Sequence, residues 1–204
     1  MKKILAAFSY IFHPVFIPVY ASLFYFLITR NFYYQHEIYL AFLQVLILTV
    51  LLPLSIFYLL RSLGLLKSKL TDKKERRLPL AIYALLLLFL LQYSFEIISV
   101  RELYFYFLGT LISVCAALML LLFNCKASLH MIAISSLTMF IISISAYYHI
   151  KFLYLIAFFI LCTGFVASSR LQSRSNTPYD VALGLLIGVL PQLGLWFIWL
   201  LPAL

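Results

Sequence analysis

The chain has 204 residues, of which 66% are hydrophobic and 10% are charged, and its formal net charge is +9. Soluble domains carry about 25% charged residues, so this chain has too few polar side chains to cover a water-facing surface. The composition excludes a soluble enzyme, a disordered tail and a fibrous repeat. A bilayer-crossing helix needs about 20 mostly apolar residues, and several such helices fit within this length.

Seven apolar runs, separated by short charged breaks, predict seven membrane-spanning helices. The runs are continuously apolar rather than alternating with a period of two, which favours helices over a closed barrel. The breaks are too short for a further domain, so residues 1–204 are expected to form a single integral membrane domain. The predicted spans are Ile4–Ile28, Ile38–Leu60, Leu78–Phe95, Leu103–Phe123, Leu129–Tyr147, Phe152–Ala167 and Val181–Leu201.

The first span begins with a Met-Lys-Lys sequence, which resembles the basic start of a signal peptide. Its apolar stretch is long, lacks a small-x-small cleavage site, and contains His13-Pro14 and Pro18. These features favour an uncleaved helix that is kinked at its prolines.

The basic residues lie mostly on one side of this topology. Side A is the side of the N-terminus and of the loops between spans 2 and 3, 4 and 5, and 6 and 7. Side B carries three of the 15 Lys and Arg residues, Arg30, Arg101 and Lys151, and side A carries the other 12. Because Lys and Arg in short loops favour the cytoplasm, side A is predicted to be the cytoplasmic face of a bacterial-type inner membrane.

Three side-A loops, residues 67–79, 124–130 and 168–180, contain most of the chemically useful polar groups. Two crossings separate each loop from the next, so all three are expected on one membrane face. Together they offer basic groups, hydroxyls, a histidine and a carboxylate. Arg pairs with phosphate oxygens and Lys adds a point charge, so the set predicts a phosphate or pyrophosphate site. The alternative is a basic collar that only attracts anionic headgroups.

The third loop has a frame that resembles a known family. The frame consists, in order, of Ser169, Arg170, Asn176, Asp180, Gly184 and Gly188. It is similar to the third motif of the type 2 phosphatidic acid phosphatase superfamily, SR-x5-H-x3-D, which is often followed by a helix with glycines at this spacing. That superfamily also includes vanadium-dependent haloperoxidases. The resemblance covers about residues 69–190.

The other two loops resemble the first and second motifs of that family. Ser128 and His130 stand where the family has the Ser and His of Pro-Ser-Gly-His. Lys126 completes a Lys-x-Ser-x-His pattern like that of a short, divergent branch. Lys69 and Arg76 have the spacing of the family's K-x6-R-P motif, although the proline is displaced.

The family mechanism gives each of these positions an implied role. The third-motif histidine attacks phosphorus and the second-motif histidine protonates the leaving group, so the resemblance makes His130 the general acid and Asp180 the carboxylate that orients the nucleophile. The nucleophile position holds Asn176, whose amide nitrogen has no lone pair available for attack. The implied phosphate ligands are Lys69, Arg76, Lys126, Ser128 and Arg170.

The sequence therefore predicts an all-α polytopic transmembrane bundle of six to seven spans, and the resemblance adds a phosphatase-like six-helix core over about residues 38–201. The resemblance implies that the protein binds a phospholipid or polyprenyl (pyro)phosphate headgroup at one shared side-A cavity, and that hydrolysis is impaired or absent. Two alternatives remain: an active lipid phosphate phosphatase with another nucleophile, and a lipid carrier on the same pocket. The expected partners are membrane lipids; no nucleic acid, metal or other cofactor is expected.

The charge distribution makes a topological prediction. Reporter fusions in the loops between spans 2 and 3 and between spans 6 and 7 should report the cytoplasm, because those loops carry most of the basic residues. A periplasmic signal from either fusion would contradict the orientation and would leave ligand binding as the reason for the basic loops.

Overall fold

The computed structural model describes residues 2–65, 73–95 and 100–199, and every regular element within these ranges is a helix. The helices are α1 (Lys2–Ile11), α2 (Ile17–Thr29), α3 (Gln35–Ser62, with a π-helical turn at Ile47–Leu51), α4 (Lys73–Phe89, continued by a π-helical turn at Leu90–Ser94), α5 (Arg101–Leu122), α6 (Leu129–Tyr147), α7 (Leu153–Gln172) and α8 (Pro178–Trp199).

Six of these helices, α3 to α8, are long and apolar enough to cross a membrane. The prediction of an all-α polytopic transmembrane bundle is therefore confirmed. The predicted boundaries of these spans agree within a few residues except at the start of α4, which begins at Lys73 rather than Leu78, and at the end of α7, which continues beyond Ala167 to Gln172. Polar side chains end an apolar run but leave the backbone free to remain helical, so Arg170 lies on a helix rather than in a loop.

The first predicted span is two helices rather than one kinked helix. Residues 12–16 separate α1 from α2, at the His13-Pro14 sequence. Proline lacks the N–H that a helix needs and disfavours helical geometry in the residue before it. The N-terminal helix α1 packs on α7, where Ser9 Oγ donates to Ser169 Oγ at 2.9 Å.

Helix α6 lies at the centre of the bundle, in contact with α2, α5, α7 and α8. Its buried hydroxyl groups donate to carbonyl oxygens three or four residues earlier in the same helix. Because an unpaired polar group is costly in an apolar environment, these bonds allow a hydroxyl-rich helix to be surrounded by others. The residues concerned are Ser135, Ser136, Thr138 and Ser143.

Two glycines of α8 allow close contact with the start of α6. A Cβ atom at Gly184 would lie 2.6 Å from the Ser128 carbonyl oxygen and 2.9 Å from Met131 Cβ. A Cβ atom at Gly188 would lie 2.5 Å from the Ile132 carbonyl oxygen. Small residues at this spacing let membrane helices approach each other closely, and here they bring the second predicted motif against the third.

The substitution Gly184→Ala should destabilise the protein by about 1–3 kcal/mol, the usual range for overpacking, because the new methyl group meets backbone atoms. The matched control is Gly194→Ala on the same helix, where a Cβ atom would meet nothing within 4 Å. That control should be neutral or stabilising by about 0.5–1 kcal/mol. Thermal unfolding in detergent measures both variants, and equal melting temperatures for the two would contradict the packing.

Candidate functional site

Side chains from four helix ends meet at one end of the bundle. Arg76 lies near the start of α4, His130 is the second residue of α6, Arg170 is in the last turn of α7, and Asp180 is in the first turn of α8. Arg76, Arg170 and His130 are within electrostatic range of one another, and Arg76 is also within range of Asp180. We call these four residues, with Lys126, Ser128 and Asn176, the basic cluster.

Arg170 and Asn176 are directly bonded. The Arg170 Nε–H donates to Asn176 Oδ1 at 3.2 Å, across the short turn between α7 and α8. Asn176 is only 7% exposed, and its Nδ2 is buried with no hydrogen-bond partner among the described residues. The amide thus holds the guanidinium through its oxygen, while its own N–H donors have no acceptor in the part of the chain that the structure describes.

Asp180 has partners other than Asn176. Its Oδ2 lies 3.2 Å from Lys126 Nζ and accepts the Thr177 backbone N–H at 2.9 Å, while Thr177 Oγ1 accepts the Asp180 N–H at 3.2 Å. The reciprocal pair with Thr177 caps the N-terminus of α8. The carboxylate is 5% exposed, so its contacts with Lys126 and the cap account for its burial.

Ser128 joins α6 to α8 through its backbone. Its N–H donates to the Asp180 carbonyl oxygen at 2.9 Å. Ser128 is 2% exposed, and its hydroxyl group has no hydrogen-bond partner among the described residues. The turn before α6 therefore contributes a second buried donor, from a residue that is bonded to the backbone of Asp180.

The charge in the basic cluster is unbalanced. Arg76, Lys126 and Arg170 are cationic, and Asp180 supplies one negative charge. Like charges that are brought together away from bulk water cost free energy unless an opposite charge compensates them. Arg170, whose described partner is the neutral Asn176 amide, therefore favours an anion at this end of the bundle.

The sequence did not indicate where His13 lies in the bundle. At the proline break, the Val15 N–H donates to His13 Nδ1 at 3.4 Å. The same ring also lies beside His130, with 5.2 Å between the ring centroids. A histidine at a proline break inside an apolar run was the available signal, but only tertiary packing places it at the basic cluster.

One implied phosphate ligand, Lys69, lies outside the described residues. The structure brings the other predicted site residues together at one end of the bundle. It adds His13 from the segment between α1 and α2, and it places the Ser9 backbone within hydrogen-bonding range of His130. The cluster thus draws on α1 as well as on the predicted core of residues 38–201.

Comparison of the chain with protein-family models, with curated proteins and with solved structures finds no significant match.

The pKa of His13 reports the electrostatic field at the basic cluster. Partial burial of the ring, and secondly the positive charge of Arg170, lower this pKa below its usual value. The imidazole is therefore neutral at pH 7 and should accept a proton only on acidification. Arg170→Gln should raise the pKa towards its usual value, because one of the two causes is removed, whereas burial remains.

Nuclear magnetic resonance of labelled histidine measures this pKa. Arg174→Gln is the control, because Arg174 is exposed beyond the end of α7 and is not one of the causes. Inorganic phosphate should also raise the pKa of His13 in the wild type, because a nearby anion stabilises the protonated ring. A His13 pKa that responds equally to both Arg variants would contradict the proximity of Arg170.

Proposed function

We propose that this integral membrane protein binds a phosphorylated lipid headgroup at the basic cluster. The observation that carries the proposal is the meeting of Arg76, Arg170 and His130 from three different helices, with one carboxylate nearby that already pairs with Lys126. A phosphate dianion would compensate the charge of Arg170, whose described partner is the neutral Asn176 amide, and Arg170 would present its remaining guanidinium donors to phosphate oxygens.

Two buried hydrogen-bond donors without partners among the described residues favour phosphate as the bound anion. Asn176 Nδ2 and Ser128 Oγ are buried without partners among the described residues, and leaving such donors unpaired typically costs about 1–3 kcal/mol each. A phosphate group carries several strong acceptor oxygens that can satisfy donors from more than one direction. The site lies at the end of a bundle of apolar helices, so the attached alcohol is a lipid whose chains remain in the bilayer.

Turnover by the family route is not part of the proposal. That route needs an imidazole nitrogen at position 176, and an asparagine amide cannot attack phosphorus. It also needs Asp180 to orient the nucleophile, whereas this carboxylate contacts Lys126 and the Thr177 backbone. The proposed protein therefore binds the headgroup and leaves the phosphate ester intact.

One observation favours a second candidate, hydrolysis with His13 as the nucleophile. The His13 ring lies beside His130, and its Nδ1 accepts the Val15 N–H at 3.4 Å, so Nδ1 of the neutral ring carries the lone pair and Nε2 carries the proton. In this route Nδ1 gives up that long contact and attacks phosphorus, the bond to the lipid oxygen breaks, and that oxygen takes a proton from water. The hydroxide that remains cleaves the phosphorus–nitrogen bond, which releases phosphate and restores the neutral imidazole.

The binding proposal predicts that Arg170→Gln weakens the affinity for dioctanoyl phosphatidic acid by about tenfold to a hundredfold, because a hydrogen bond to a charged group is worth about 1.5–3 kcal/mol. Arg61→Gln is the matched control: Arg61 is exposed at the end of α3, the end of the bundle where the cluster lies. Titration calorimetry in detergent measures both, with dioctanoyl phosphatidylcholine as the comparison lipid. Equal losses in the two variants would contradict a built site.

Release of inorganic phosphate separates the two candidates. The binding proposal predicts no release from dioctanoyl phosphatidic acid above a protein-free control, for the wild type and for His13→Gln. The second candidate predicts release by the wild type, loss of release in His13→Gln, and retention in Asn176→Ala. Wild-type turnover that survives His13→Gln would contradict both.

A further inference from the structure

A groove between α2 and α3 lies at the other end of the bundle from the basic cluster. The segment before α2 contacts His130 through His13, and Arg30 follows the other end of this 13-residue helix. At 1.5 Å per residue, α2 separates the two places by about 20 Å. The groove has a volume of about 330 Å³, within the usual range for small-molecule sites.

The lining of the groove follows helical periodicity on both of its walls. Residues at positions i, i+3, i+4 and i+7 of a helix share one face. The α2 wall is formed by Leu23, Phe26, Leu27 and Arg30, and the α3 wall by Gln35, Ile38, Tyr39 and Phe42. Each wall is therefore apolar over most of its length, and the polar groups Arg30 and Gln35 lie together where the two helices are joined.

The groove is open to the surroundings of the bundle. Leu27 is 63% exposed and Tyr39 is 69% exposed, while Phe26 forms the base with 5% exposure. Arg30 is exposed, and the described residues give it no hydrogen bond or ion pair. An apolar slot that ends in an arginine without a protein partner matches a ligand with a chain at one end and an anion at the other.

We propose that this groove binds one anionic phospholipid, with an acyl chain between α2 and α3 and the phosphate at Arg30. The occupant is a lipid rather than a soluble anion, because the apolar walls face the bilayer in a bundle whose neighbouring helices span it. Arg30 recognises the negative charge through paired hydrogen bonds to phosphate oxygens. The Gln35 amide adds a neutral donor beside it. This site is separate from the basic cluster and faces the opposite leaflet.

The test uses purified full-length protein and phosphatidylglycerol with a photoreactive group on one acyl chain. Cross-linked peptides, identified by mass spectrometry, should come from α2 and α3. Unlabelled phosphatidylglycerol should compete at least about tenfold better than phosphatidylcholine with the same chains. Arg30→Gln should remove this preference, whereas Arg101→Gln, an exposed arginine near the same end of the bundle, should keep it.

A second pair of variants tests the apolar part of the groove. Leu27→Trp should lower cross-linking because the indole fills the slot, whereas Leu161→Trp on α7, where the leucine is 62% exposed, should not. Equal cross-linking in the two tryptophan variants would overturn the proposal. So would an anionic preference that survives Arg30→Gln, or cross-linked peptides that come from helices other than α2 and α3.

Discussion

The contact between the start of α6 and the first turn of α8 determines the arrangement of the rest of the site. The Ser128 N–H donates to the Asp180 carbonyl oxygen at 2.9 Å, and Gly184 and Gly188 leave the space that this approach requires. Because α6 also contacts α2, α5 and α7, fixing Ser128, the residue before its first turn, fixes His130 relative to its neighbours. The polar cluster depends on helix packing within an apolar bundle rather than on a preformed loop.

The same contact explains how basic groups are held close together. Lys126 precedes Ser128 in the turn and pairs with Asp180, the residue that caps α8. Arg170 reaches the cluster from α7 and is held by Asn176 Oδ1. These bonds preorganise Lys126 and Arg170, two donors of like charge, so an anion that enters needs little rearrangement of the protein. Preorganisation of this kind raises affinity by reducing the ordering cost of binding.

The sequence predicted the spanning helices well, because the length of an apolar run is set by the thickness of the bilayer and is visible in composition alone. It also indicated which loops share a membrane face, and the structure does bring His130, Arg170 and Asp180 to one end. The local pairing was harder to predict. A carboxylate three residues into a helix can cap that helix, bond a lysine or orient a neighbour, and only the packing of α6 selected Lys126 for Asp180.

The position of α1 is the clearest example of what the sequence could not provide. A run of apolar residues with prolines predicted one kinked helix, but the break at residues 12–16 gives α1 its own direction along α7. The hydrogen bond between Ser9 and Ser169 holds α1 against α7, and His13, which follows α1, lies beside His130. Such contacts between residues 160 apart in the chain depend on tertiary packing, which local periodicity does not encode.

The most direct test of the account is an experimental structure of the protein with tungstate, whose anomalous scattering marks an anion unambiguously. The account predicts one strong site within hydrogen-bonding distance of Arg170 and His130, and close enough to Ser128 and Asn176 to accept their buried donors. An anion bound only elsewhere on the protein, or no ordered anion while these side chains keep their positions, would contradict the assignment of the basic cluster as a phosphate site.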